Sequence, residues 1–210
     1  MTTLLVIAKE PRPGRVKTRL TPPFTPREAA ALAEASLADT LCAAARVPAD
    51  RHVLVLDGRP GPWLPPGFAV VPQARGGLDV RLAAAFASCR GPALLIGMDT
   101  PQVTPDLLAP ALRWVSYDAW FGPAADGGFW ALGLARPSPS LLLGVPMSAP
   151  DTGAVQYARL RAAGLRVGGL PVLRDVDTAP DAREVAAAAP GTRFADRYTE
   201  LTGTTTGAGR

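Results

Sequence analysis

The 210-residue sequence contains one histidine, His52, and only two cysteines, Cys42 and Cys89. Neither cysteine has a partner at the spacing of a metal site, so a zinc centre built from cysteine and histidine is disfavoured. A catalytic triad that depends on histidine is disfavoured as well. Two isolated cysteines are typical of a reducing compartment, and we expect a cytoplasmic protein.

The sequence also shows no long apolar run, and its first residues do not have the charged-then-apolar pattern of an N-terminal leader. No run approaches the length that a membrane span needs, so we expect neither membrane insertion nor secretion. The net charge of +4 is small for this length, and much of the excess lies in the first loop and near the C-terminus. This distribution favours local anion binding over a nucleic-acid surface.

Short apolar runs that predict strands alternate with segments that predict helices. The predicted strands are residues 4–7, 52–56, 93–97, 118–121, 129–134 and 166–173. The predicted helices are residues 25–46, 79–88, a stretch from 104, 151–164 and a short stretch after 180. This alternation predicts a three-layer α/β/α fold with a mostly parallel mixed sheet. We expect a single domain over 1–201, an irregular excursion over 57–71 and a disordered tail over 202–210.

The first predicted strand runs into a loop that is rich in positive charge. Its basic residues are Lys9, Arg12, Arg15, Lys17 and Arg19, and Gly14 lies among them. Backbone N–H groups at a glycine can approach an oxyanion, while the cationic side chains neutralise its charge. Ligands of open α/β sheets bind at the carboxyl ends of strands, so the loop predicts a phosphate site, although it matches neither a Walker sequence nor GxGxxG. The alternative is an ordinary solvated surface loop.

Carboxylates follow two of the predicted strands. Asp99 comes directly after strand 93–97, and Asp175 and Asp177 come after the last strand. Carboxylates from separate strand ends suit Mg²⁺, which takes its remaining ligands from water and substrate phosphates. A basic loop that faces such carboxylates favours phosphoryl chemistry, for which no side-chain nucleophile is needed. For Asp99, the alternative is a turn-capping role.

Four segments together resemble a known superfamily, in the same order along the chain. They are AKEPRPGRVKTRL at 8–20, GMDTP at 97–101, GPAADGGFWALGL at 122–134 and DVDTAPD at 175–181. The sequence resembles the small bacterial proteins of the glycosyltransferase-A-like, nucleotide-diphospho-sugar transferase superfamily. The branch it resembles is related to 2-phospholactate guanylyltransferase and molybdenum cofactor guanylyltransferase.

The resemblance implies a cytoplasmic transferase that depends on Mg²⁺ (or Mn²⁺). Its expected reaction is nucleotidyl transfer from a nucleoside triphosphate to a phosphorylated small molecule, with release of pyrophosphate. A glycosyltransferase that uses an NDP-sugar is the first alternative, and a non-catalytic nucleotide-binding protein is the second. The five basic residues of one loop favour a triphosphate over an NDP-sugar as the substrate.

The resemblance also implies roles for particular residues. The nucleotide phosphates would be held by Lys9, Gly14, Arg15, Lys17 and Arg19. The catalytic residues would be Lys17 and Asp99. The metal ligands would be Asp99 and Asp177, with Asp175 as a helper. The acceptor or base side would be lined by Gln73, Gly76, Gly77, Asp126, Gly127 and Gly128, with a turn-stabilising role as the alternative for Asp126.

The sequence departs from the pattern of this superfamily at two places. Where its members usually show Gly-Asp-Leu-Gly before the second helix, this chain has Gly-Gly-Leu-Asp at 76–79. Where they tend to show a Trp-Ser/Thr pair, this chain has Met147 and Ser148. Both departures lie where the substrate would be selected.

Overall fold

A mixed seven-stranded sheet forms the centre of the computed structural model, which describes residues 1–205. The strands are β1 (Thr3–Lys9), β2 (Arg51–Asp57), β3 (Phe68–Pro72), β4 (Ala93–Ile96), β5 (Ala119–Pro123), β6 (Phe129–Leu134) and β7 (Val167–Gly169). Their order across the sheet is β3-β2-β1-β4-β6-β5-β7. β6 is antiparallel to both of its neighbours, and the other neighbouring pairs are parallel.

Helices cover both faces of the sheet. They are α1 (Pro26–Ala45), α2 (Leu78–Ala87), α3 (Pro105–Leu108), α4 (Thr152–Ala162), α5 (Ala179–Ala188) and α6 (Arg193–Thr205). Alternate strand residues point to opposite faces, so Leu4 and Val6 pack with α1 and α3, whereas Leu5 packs with α2 and α4. The predicted three-layer α/β/α fold is confirmed.

A third apolar cluster lies on the outer side of α1. There Leu32 packs with Val185 of α5 and Phe194 of α6, while other α1 residues such as Leu37 face the sheet. α1 is therefore buried on more than one side, which explains why its sequence is rich in alanine and leucine without a clear polar face.

Sequence signals set several helix ends correctly. The sequence Thr-Pro-Arg-Glu at 25–28 predicts a capping box, and Thr25 and Glu28 form it at the start of α1. The sequence predicts a helix that starts at Thr104 and is interrupted by a kink at Pro110. Thr104 caps α3, and the chain passes into a 3₁₀ turn over Ala109–Leu112, which contains Pro110. Proline lacks the N–H that a continuing α-helix would need, so α3 is short.

Three predictions about the fold need correction. All of β3 except its last residue lies in the segment 57–71 that was expected to be irregular, and the last strand covers only Val167–Gly169 of the predicted 166–173. α6 extends to Thr205, so the predicted tail boundary at residue 202 falls inside a helix. Residues 206–210 of that predicted tail lie outside the described residues. Within residues 1–205, no helix combines the length and the hydropathy that crossing a bilayer requires.

Candidate active site

A cleft of about 840 Å³ lies at the carboxyl ends of β1 and β4. This volume is in the range of small-molecule and nucleotide sites. Most of the predicted site residues line it, namely Lys9, Arg15, Lys17, Arg19, Gln73, Gly76, Asp99, Asp126, Gly128, Asp175 and Asp177. Three predicted glycines, at positions 14, 77 and 127, are not among the residues that line it.

The basic loop is folded so that one lysine turns inwards. Gly14 has a φ of +73°, and Lys17 adopts the left-handed conformation with φ 50° and ψ 38°. Val16 and Leu20 are buried and anchor the loop in the protein interior. A left-handed lysine is uncommon because its Cβ is crowded, and such conformations cluster at functional sites.

Two cations of this loop pair with the strand-end carboxylates. Lys17 Nζ lies 2.8 Å from Asp99 Oδ2, and only 9% of the lysine side chain is exposed. Arg19 Nη1 donates to Asp177 Oδ2 at 2.6 Å. The structure therefore brings together the predicted phosphate ligands and the predicted metal ligands.

Asp175 lies beside the same carboxylates. The backbone N–H of Val176 donates to the carbonyl oxygen of Asp99 at 2.9 Å, which fixes the segment 175–177 against the end of β4. Burial, followed by the negative charges of Asp99, Asp126 and Asp177, raises the pKa of Asp175 to about 7, although Lys17 opposes the shift.

Two buried carboxylate oxygens in this group have no hydrogen-bond partner within the described part of the chain. They are Asp99 Oδ1 and Asp175 Oδ1. Buried acceptors without partners are rare, and they mark a place where a cation or a donor can bind. Among residues 1–205, no set of three or more His, Cys, Asp or Glu side chains is arranged to hold a metal ion alone.

Asp126 and its two glycines form a tight turn between β5 and β6. Asp126 Oδ1 accepts a hydrogen bond from Gly128 N at 2.8 Å. This bond stabilises the turn, which is the alternative role given above for Asp126. Asp126 also lines the cleft. Gly127 has a φ of +90°, and a Cβ there would lie 1.8 Å from the carbonyl oxygen of Pro150. Gly127 therefore packs against the chain before α4, and the close approach to Pro150 requires a residue without a Cβ.

The predicted base-side residue Gln73 is occupied by internal hydrogen bonds. Its Nε2 donates to the carbonyl oxygens of Ala8, at 2.8 Å, and Val55, at 3.2 Å. Its Oε1 accepts from Arg81 Nη1 at 3.0 Å. Gln73 therefore joins the ends of three strands and positions Arg81, a cleft residue that the sequence reasoning did not select. The only feature of the sequence that could have indicated Arg81 is its position, one turn into the helix that follows the paired glycines.

The two sequence departures differ in their relation to the cleft. Asp79 does not line it, and instead Asp79 Oδ2 accepts from Gly144 N at 3.0 Å, a bond that lowers the pKa of Asp79. Met147 and Ser148 do line it, and Ser148 has a φ of +59°. Lys17 and Ser148 are the two positive-φ residues other than glycine within residues 1–205, and both face this cleft.

Comparisons with solved structures confirm the fold class. A protein from Desulfovibrio desulfuricans G20, provisionally named a nucleotide-diphospho-sugar transferase, is 28% identical over 98% of this chain and 95% of that chain, with a TM-score of 0.84. Rv0371c from Mycobacterium tuberculosis H37Rv, in complex with manganese, is 24% identical over 88% and 96% of the two chains, with a TM-score of 0.53. The 2-C-methyl-D-erythritol 4-phosphate cytidylyltransferase from Thermus thermophilus is 17% identical over 90% and 99%, with a TM-score of 0.55. The chain thus has the fold of nucleotide-diphospho-sugar transferases.

Comparisons of sequence give a family as well. No curated protein matched the chain. A family model described as "Uncharacterized protein conserved in bacteria (DUF2064)" matches residues 29–149. Because this match covers more than half of the sequence, the chain belongs to the DUF2064 family.

Proposed function

We propose that the protein is a Mg²⁺-dependent nucleotidyltransferase that transfers NMP from a nucleoside triphosphate to a phosphorylated small molecule and releases pyrophosphate. The observation that carries the proposal is the Lys17–Asp99 pair, 2.8 Å apart, beside two unpartnered carboxylate oxygens. Such a site offers cations for phosphate oxygens and anions for a metal ion within one cleft.

The carboxylates fit a hard divalent cation. Asp99 Oδ1 and Asp175 Oδ1 are shielded from water without donors, and carboxylate oxygens are the ligands that Mg²⁺ and Mn²⁺ accept. Two carboxylates suffice for Mg²⁺ when phosphates and water complete its coordination, which agrees with the lack of a complete protein cage in residues 1–205. Asp177 would be a further ligand when Arg19 leaves it. When bound, the ion would neutralise charge on the phosphates.

The basic loop would hold the triphosphate through an exchange of partners. Lys17 and Arg19 are paired with carboxylates in the absence of ligand, so their charges are already directed at the phosphate site. With a nucleotide bound, Asp99 and Asp177 would hold the metal ion, and Lys17 and Arg19 would donate to the phosphate oxygens. Lys9 and Arg15 line the same cleft and add charge.

The expected reaction needs positioning more than covalent chemistry. An oxygen of the acceptor phosphate attacks the α-phosphorus of the nucleotide, a new P–O bond forms, and the bond from the α-phosphorus to the bridging oxygen breaks. Pyrophosphate leaves with that oxygen, and Lys17 is placed to stabilise the charge that develops. The likeness in fold to a cytidylyltransferase, whose name describes a phosphorylated substrate, supports this class of reaction.

Glycosyl transfer from an NDP-sugar is the second candidate. The likeness to the Desulfovibrio protein, whose provisional name describes a nucleotide-diphospho-sugar transferase, favours it. The two reactions differ in product, since one releases pyrophosphate and the other a nucleoside diphosphate.

A thermal-shift panel tests the proposal. Nucleoside triphosphates, nucleoside diphosphates and NDP-sugars are each tested with Mg²⁺, with Mn²⁺ and without metal. A ligand at 100 times its Kd stabilises the folded state by about 2.7 kcal/mol, which corresponds to a Tm rise of roughly 5–10 °C for this size. We expect one triphosphate to stabilise the protein only with the metal. A shift with an NDP-sugar alone would favour glycosyl transfer, and no shift with any ligand would contradict both candidates.

A non-catalytic binding protein is the third possibility and makes a different prediction. In that case, Asp99→Asn would leave nucleotide affinity and its metal dependence unchanged. The proposed enzyme predicts that this variant loses the metal dependence.

A further inference from the structure

Arg81 lies at the end of the cleft opposite the carboxylates. It stands in α2, and its guanidinium reaches the ends of β2 and β3 through Asp57 and Gln73. Asp99 follows β4, which lies on the other side of β1 in the sheet. The basic loop follows β1 and lies between the two groups. A nucleotide whose phosphates meet Lys17 would therefore extend its nucleoside towards Arg81.

The guanidinium of Arg81 is held rigidly. Its Nε donates to the carbonyl oxygen of Gly76 at 3.0 Å, and its Nη1 donates to Asp57 Oδ2 and Gln73 Oε1, both at 3.0 Å. No hydrogen bond within residues 1–205 uses its Nη2. Hydrogen bonds at Nε and Nη1 therefore fix the guanidinium group, and the N–H donors of Nη2 can bind a ligand.

The charge of Arg81 already has a counterion. The Asp57 carboxylate is paired with the same Nη1 that contacts Gln73, so the attraction of this site for a further anion is reduced. A neutral oxygen acceptor fits the remaining donors better than a phosphate does, because it needs donors and not net charge.

The wall next to Arg81 is apolar. Leu78 precedes it by almost one helical turn, is 43% exposed and lines the cleft, while Leu82 follows it directly and lines the cleft as well. Met147 contributes from the opposite loop. A flat apolar body with a polar edge, such as a nucleobase, matches this combination of an apolar wall and a fixed donor.

We propose that Arg81 is the residue that selects the base, and that it selects a base with an exocyclic carbonyl oxygen, namely cytosine, guanine or uracil, over adenine. This assignment rests on the proposed function, because it requires that a nucleotide occupies the cleft. Gln73 and Asp57 are positioning residues in this assignment, since they act through the guanidinium.

The test measures the affinity of the full-length protein for ATP, CTP, GTP and UTP, each with Mg²⁺, by calorimetric titration. Wild type is compared with Arg81→Met, which keeps a long apolar side chain, and with Arg81→Lys, which keeps the positive charge but lacks the planar guanidinium group. Arg75→Met is the matched control, because Arg75 is an exposed arginine in the loop that precedes α2 and does not line the cleft. The Tm of each variant is recorded to confirm that it is folded.

We expect wild type to bind one or more of the three carbonyl-bearing nucleotides about 10–100-fold more tightly than ATP, the range for one or two hydrogen bonds from a charged donor. Arg81→Met and Arg81→Lys should both lose this preference without weakening ATP binding, and Arg75→Met should keep it. Lysine would preserve a phosphate contact but cannot reproduce the rigid fork.

Three results would overturn the assignment. They are a wild-type preference for ATP, an equal loss of affinity for all four nucleotides in Arg81→Met, and full retention of the preference in Arg81→Lys. If wild type binds none of the four nucleotides, the proposed function fails and the assignment fails with it. That failure is seen before any variant is measured, so it is distinguishable from failure of the Arg81 assignment alone.

Discussion

Replacing Lys17 by methionine should destabilise the ligand-free protein through Asp99. Methionine keeps most of the apolar stem and removes the ammonium group that lies 2.8 Å from Asp99 Oδ2. Asp99 would then remain beside Asp175, whose pKa is already raised to about 7 by burial and by neighbouring negative charges. The variant therefore measures how much the neighbouring carboxylates lower the free energy of unfolding when no lysine neutralises them.

The exposure of the two partners sets the expected size of the effect. Surface ion pairs contribute about 0–1 kcal/mol, whereas removing one partner of a buried pair costs about 3–5 kcal/mol. The Lys17 side chain is 9% exposed and that of Asp99 is 33% exposed, so the pair lies between these limits. We expect Lys17→Met to lower the free energy of unfolding by about 2 kcal/mol, which is a Tm decrease of roughly 4–8 °C for a protein of this size.

A double-mutant cycle isolates the interaction. The free energy of unfolding is measured by urea denaturation, without metal, for wild type, Lys17→Met, Asp99→Asn and the double variant. We expect Lys17→Met to cost about 1–2 kcal/mol less in the Asp99→Asn background than in wild type. Equal costs in the two backgrounds would refute the reasoning, because they would show that the lysine stabilises the protein through something other than Asp99.

Three further predictions concern residues outside the ligand site. Asp39 is 9% exposed and accepts from the N–H groups that open α6, so Asp39→Ala should lower the free energy of unfolding by about 2–4 kcal/mol in urea denaturation. Gly127→Ala should lose at least about 3 kcal/mol, visible as a large fall in Tm, because its Cβ would collide with the Pro150 carbonyl at a positive φ; an unchanged Tm would contradict this packing. The Asp118–Arg166 pair lowers the pKa of Asp118 to about 2, chiefly through side-chain and then backbone hydrogen bonds from Arg166. Its contribution is therefore complete above the unfolded-state pKa of about 4, decreases below it and is lost as the pH falls through about 2. Asp118→Asn should lower the urea midpoint clearly more at pH 6 than near pH 2.5, where only part of the contribution remains, and an equal effect at both values would contradict the pair.

Local sequence signals predicted those parts of the fold that depend on neighbouring residues. The capping box at Thr25, the proline that shortens α3 and the alternation of strands and helices all act within a few residues. β3 was missed because it is an edge strand whose residues Ala69 and Val70 are exposed, so it lacks the buried apolar run of a central strand. α6 was missed because its start depends on Asp39, which is distant in the sequence.

The candidate site also has features that local sequence predicts and features that only the three-dimensional structure shows. The loop cations and the strand-end carboxylates were recognisable because each follows a predicted strand. The pairing of Lys17 with Asp99, and of Arg19 with Asp177, needed the three-dimensional structure. Arg81 carries no motif of its own, and the role proposed for it depends on its hydrogen bonds to Gln73, directly after β3, and Asp57, at the end of β2.

The most direct test of the proposed function is the metal dependence of nucleotide binding. The triphosphate that the thermal-shift panel selects is titrated into wild type, Asp99→Asn and the control Asp106→Asn, an exposed aspartate of α3, with and without Mg²⁺. We expect wild type and Asp106→Asn to bind at least tenfold more tightly with Mg²⁺, and Asp99→Asn to lose that difference. Equal wild-type affinity with and without the metal, or an unchanged metal dependence in Asp99→Asn, would contradict the account.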